Sequence, residues 1–138
     1  MMKHAVLESF AGFDDFLAYL AVALVLLSLF IAAYVRITPW REIELIRQGN
    51  MAASFSLSGA VLGFIAPLAS AVQHSANLVD MAIWGVIALA TQIAAFIAVK
   101  LIMPSITRDI PAGNGAQGFF LGSLSLAVGL LSAACMSF

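Results

Sequence analysis

Four long stretches of this chain carry no charged side chain. They cover residues 16–35, 48–79, 81–99 and 110–138, with lengths of 20, 32, 19 and 29, and hold 100 of the 138 positions. A helix needs roughly 20 mostly apolar residues to cross the hydrocarbon core of a bilayer, so each stretch can supply one span. Lipid offers no hydrogen bonds, and a backbone that crosses it must satisfy its own donors and acceptors, as a helix does. The alternation of a barrel strand is absent: Leu20 to Leu27 reads Leu-Ala-Val-Ala-Leu-Val-Leu-Leu, apolar all round. The expected fold is therefore all-α and polytopic, one membrane domain over 1–138 with spans near 16–36, 52–73, 81–102 and 115–136. Hydrophobic residues make up 63% of the chain and charged ones 9%, against about 45–50% apolar and 25% charged in soluble domains. That composition excludes a soluble enzyme, a nucleic-acid binder with a basic face and a disordered chain.

The first apolar stretch does not read as a cleaved signal. It follows Lys3 but also Glu8, Asp14 and Asp15, and it is longer than the 7–15 residues of a signal core. Orientation follows from the basic residues in short loops. Arg36, Arg41 and Arg47 lie between spans one and two, and Lys100 and Arg108 between spans three and four; only Lys3 lies elsewhere. Loops 36–51 and 100–114 are expected in the cytoplasm and both termini outside, in the periplasm for a bacterial inner membrane.

The first loop reads as a short interfacial helix. Thr38-Pro39 offers a cap and a proline at the first helical position. Trp40, Ile43 and Ile46 then recur at spacing three, with Arg41, Glu44 and Arg47 on other faces and the Trp expected at headgroup level. An ordinary helical linker is the alternative.

The second half of the chain echoes the first. Residues 46–52, Ile-Arg-Gln-Gly-Asn-Met-Ala, correspond to residues 110–116, Ile-Pro-Ala-Gly-Asn-Gly-Ala, at an offset of 64. Phe55 then meets Phe119, and Leu57 meets Leu121; upstream, at an offset of 65, Asp15 meets Asp80 and Pro39 meets Pro104. Two tandem units are expected, about 14–74 and 79–138, each of two spans and related as a parallel repeat. In each, Gly49-Asn50 or Gly113-Asn114 ends the loop and opens a span, Asn being among the best N-caps and Gly allowing the sharp turn.

With this motif the chain resembles the YjfL-like bacterial inner-membrane family, catalogued as domain of unknown function 350. The resemblance implies four spans in two tandem units, with an acidic residue and a Gly-Asn-Ala-type motif before the second span of each. Those positions read Glu44, Gly49, Asn50 and Ala52, then Asp109, Gly113, Asn114 and Ala116. The second set departs from the first: Arg108 aligns with Glu44, and Pro111 replaces Arg47. The resemblance implies no activity.

Small residues mark the second span of each unit. Ser58, Gly59 and Gly63 in span two, and Gly118, Gly122 and Gly129 in span four, are expected to let helix backbones approach. Spans two and four then meet at the centre of the molecule or form a subunit interface. The most interior polar pair is Thr91-Gln92, with Gln92 expected in an interhelical hydrogen bond. Gln73, His74, Asn77 and Asp80 cluster near the outer loop as a solvated turn, too sparse for a metal site. The lone Cys135 is read as a packing residue of the last helix. No catalytic set, metal site or cofactor motif is expected.

The leading expectation is a non-enzymatic inner-membrane protein that assembles through its small-residue spans, with itself as a homo-oligomer or with a partner, in the lipid bilayer and without nucleic acid. The alternative is an oligomeric channel or transporter for an ion or small solute.

Overall fold

In a computed structural model, which describes residues 1–136, every regular element is helical. The last two positions of the second expected unit lie outside the described residues. The elements are α1 (Met2–Ala11), α2 (Phe13–Ile37), α3 (Glu42–Arg47), α4 (Met51–His74), α5 (Leu78–Ile102), α6 (Ile106–Asp109) and α7 (Gly115–Cys135). Four helices are long and apolar enough to cross a membrane: the run Met2–Ile37, in which α1 leads into α2, and α4, α5 and α7. The bounds of α2, α4, α5 and α7 follow the four uncharged stretches to within about five residues, because those stretches are where a helix can enter lipid without burying charge.

Two departures have physical reasons. The charged N-terminal segment is helical from Met2, and Gly12 keeps an αR backbone that joins α1 to α2, accepting the Phe16 amide at 3.0 Å. The combined 36 residues span about 54 Å at 1.5 Å per residue, well beyond a hydrocarbon core of about 30 Å. The other correction concerns Thr38-Pro39. Thr38 closes α2 rather than opening the next helix, with its hydroxyl on the Val35 and Trp40 carbonyls, and α3 begins only at Glu42.

The centre is the pair α4 and α7, which run parallel. Gly118 abuts Ala52 near their starts, Gly122 abuts Phe55 and Gly59, and Gly129 abuts Gly63. α5 packs against both, and α2 packs on α4 and α5. An aromatic cluster fills the loop end: Phe30 stacks edge-on against Phe64 at 4.6 Å, and Tyr34 and Trp40 both meet Phe96 edge-on, at 5.3 and 6.0 Å.

Candidate functional site

The loop end of the bundle encloses a carboxylate. Glu42, the first residue of α3, is 1% exposed. The backbone between Thr38 and Glu42 places Trp40 inside the bundle, buried against Phe96. Its indole Nε1–H donates to Glu42 Oε1 at 2.9 Å, and Ser56 Oγ of α4 donates to the same oxygen at 3.4 Å. Glu42 Oε2 is buried with no partner, as is the hydroxyl of Tyr34 on α2. Burial pushes the Glu42 carboxyl up from 4.5 to about 7, against the two hydrogen bonds, which pull it down. An acid buried without a cation stays neutral more readily than charged, so this group is poised to hold a proton near neutrality.

Both Gly-Asn turns have one geometry. Gly49 and Gly113 take φ of +86° and +90°, open to glycine at no steric cost. Gly49 and Asn50 donate their amides to Ile46 and Leu45, closing α3, and Gly113 and Asn114 donate to Ile110 and Asp109 in the same way. Each Asn then caps the next helix, Asn50 accepting from the Ala53 amide and Asn114 from the Gln117 amide. The turns differ in one respect. Asn50 also donates through Nδ2 to the Ile110 and Pro111 carbonyls, tying the first loop to the second.

Inside the bundle, Pro67 is the residue that explains Gln92. A proline has no N–H, so within α4 it leaves the carbonyl four residues back unpaired. That carbonyl belongs to Gly63, and Gln92 Nε2 of α5 donates to it at 2.7 Å. The neighbouring Gln92 Oε1 is buried without a partner.

Residues 6–136 match the pattern of the Domain of Unknown Function family DUF350. The chain belongs to the DUF350 family. It is 40% identical to the inner membrane protein YjfL of Escherichia coli K12 over 132 residues, covering 96% of this chain and 98% of YjfL. It is 28% identical to the transmembrane protein YshE of Bacillus subtilis over 115 residues, covering 82% of this chain and 84% of YshE. No solved structure matches. This DUF350 member is thus a multi-pass membrane protein of a family whose role is uncharacterised.

The remaining sequence-predicted residues of this DUF350 chain fall into three groups. Gly59, Gly63, Gly118, Gly122 and Gly129 come together in the α4–α7 seam, but Ser58 is exposed, and Ser56, two residues earlier, takes the buried position. Ala52 is in the seam, whereas its expected counterpart Ala116 is exposed. The loop residues stay at the surface: Arg41 pairs with Glu44 at 3.4 Å, Arg47 is exposed, and Arg108 pairs with Asp109 at 3.1 Å while Gln117 also donates to Asp109 at 2.7 Å. Thr91 bonds the Ile87 carbonyl of its own helix and takes no part in the Gln92 contact. Cys135 is exposed rather than packed. Among the described residues, no group of three His, Cys, Asp or Glu side chains could hold a metal.

Sequence reasoning singled out Glu44 and passed over Glu42, Ser56 and Tyr34. The run Arg41-Glu42-Ile43-Glu44 reads as a solvated face, and only the starting point of α3 decides which acid turns inward. Pro67 was a readable signal, since a proline inside a span announces an orphan carbonyl four residues earlier.

Proposed function

We propose that this protein is a non-enzymatic integral membrane protein that acts by assembly, with a second copy of itself or with a partner protein, its loops 36–51 and 100–114 forming the cytoplasmic docking side. The observation that carries the reading is the loop end, where five of the six basic residues gather; the glycine seam is not the assembly surface. Because α4 and α7 touch backbone to backbone within one chain, the small-residue faces are already occupied, and association falls to the outer surfaces. Along α2 those surfaces include Phe16, Leu20, Leu24 and Leu29, all exposed. Five of the six basic residues, Arg36, Arg41, Arg47, Lys100 and Arg108, belong to the loop end, which supports its cytoplasmic orientation. The short helix α3 is read as lying at the bilayer interface, with Ile43 exposed toward it.

The tandem two-span reading is supported by the two Gly-Asn turns, whose amide hydrogen bonds recur at the offset of 64, and by Phe55 and Phe119, whose rings meet edge-on at 5.8 Å. Gel filtration and native mass measurement of the purified protein in mild detergent test the assembly. A species heavier than the 14.5 kDa chain, or a co-purifying protein, is expected; a bare monomer alone contradicts it.

A second reading is an oligomeric pathway for an ion or small solute. The buried, unpartnered Gln92 Oε1 favours it, as polar groups at membrane depth attend such pathways. Flux from loaded liposomes no faster than from protein-free vesicles removes it.

A further inference from the structure

We propose that Glu42 is a proton-binding site: its enclosed Oε2, left without a partner by the fold, takes up and releases a proton at the loop end of the bundle, and the charge so gained or lost controls how firmly α3 docks on α4.

The geometry comes from three elements. Trp40 and Ser56 commit two donors to Oε1, which remains an acceptor whether the carboxyl is neutral or charged. Oε2 is the oxygen free to change, and it is buried with no hydrogen-bond partner in the protein. Tyr34, on α2, packs edge-on against the same Phe96 that Trp40 meets, and its own hydroxyl is buried and unpartnered. Two groups with unmet hydrogen-bonding capacity are therefore buried beside one cluster of aromatic rings, where a charge is poorly solvated and a proton is the smallest thing that relieves it.

Charged groups on the surrounding elements do not neutralise the carboxylate. On its own loop, Arg41 is paired with Glu44 at the surface and Arg47 is exposed. On α2 the cation is Arg36, exposed in the last turn of the helix. α4 offers Ser56 and no charged residue near it, and α5 presents Phe96, with Lys100 one turn further along. Among the described residues the ion pairs are Arg41–Glu44 and Arg108–Asp109, neither involving Glu42. A groove of about 460 Å³ lined by Val35, Arg41, Glu42, Ile43, Glu44 and Arg47 lies beside it.

A carboxyl is not needed to fill this position. Under the tandem-unit reading, an offset of 64 brings Ile106 to the place of Glu42, and Ile106 is fully buried and apolar. Acid chemistry, rather than packing, distinguishes the first loop.

Trp40 reports on the site directly, since its indole donates to the carboxyl. The chain has two tryptophans, so the full-length W84F protein in phospholipid nanodiscs isolates the signal. Its emission and acrylamide quenching, followed from pH 5 to 9, are expected to show one transition near neutrality, with quenching greater on the alkaline side. E42Q in the same background should hold the acid-side emission throughout. S56A should move the midpoint upward, because it removes a donor that favours the charged form. Circular dichroism confirms folding of each variant, and should E42Q fail to fold, the appearance of a buried carboxylic-acid C=O band in infrared difference spectra of the W84F protein on acidification, shifted in E42D, decides instead. A W84F protein whose Trp40 signal is flat across this range, a transition that persists unchanged in E42Q, or an infrared band indifferent to E42D overturns the proposal.

Discussion

Glu42 is a buried acid whose surroundings favour its protonated form. Its carboxyl is held at about 7 in the folded protein against an ordinary 4.5. A raised acid makes the folded state the tighter proton binder, so stability is greatest below 4.5, falls as pH rises toward 7 and then levels off. Thermal unfolding in detergent should therefore find E42Q more stable than the native protein by about 2–3 kcal/mol at pH 8, with the difference shrinking as pH falls and vanishing below about 4.5. The two capping asparagines make a second comparison at this scale. Asn50 caps α4 and also donates to the Ile110 and Pro111 carbonyls, whereas Asn114 caps α7 alone. N50A should cost about 2 kcal/mol and N114A about 1 kcal/mol, measured by the same unfolding experiment. The caps were legible from Gly-Asn alone, because an N-cap is a local event. The buried acid was not: Glu42 and Glu44 sit two residues apart in one charged run, and the path of Thr38 to Arg41 chooses between them.

Between elements, the same contrast separates residues that sit in the seam from those that merely belong to the small-residue pattern. A Cβ on Gly129 would fall on the Gly63 carbonyl, and parallel helices at backbone contact have no slack to absorb it. G129A should destabilise by about 2 kcal/mol or more, while S58A, at an exposed position, should stay within about 0.5 kcal/mol. The glycine spacing was visible in the sequence, but not the burial of Ser56, which depends on α3 bringing Glu42 against α4. Pro67 and Gln92 form the other coupling between helices. Q92L should cost about 1–2 kcal/mol by orphaning the Gly63 carbonyl, and distinctly less in a P67A background, where residue 67 regains an amide for that carbonyl. A double-mutant cycle reads this directly, and strictly additive costs would break the link.

At the scale of the whole molecule, four apolar stretches made the four long apolar helices legible, because the membrane imposes length and charge on any chain that crosses it. Partner choice was not legible, since a stripe of glycines reads the same whether it meets a helix of its own chain or of another. In the structure, α4 and α7 close on each other within one chain. Cysteines at Phe55 and Phe119, whose rings lie 5.8 Å apart beside the seam, test that most directly, with Cys135 replaced by serine. Oxidation of the F55C/F119C protein in native membranes should give a cross-link that leaves the chain at monomer mass on a denaturing gel. A mixture of the two single variants that instead yields cross-linked dimers would show the seam to lie between chains.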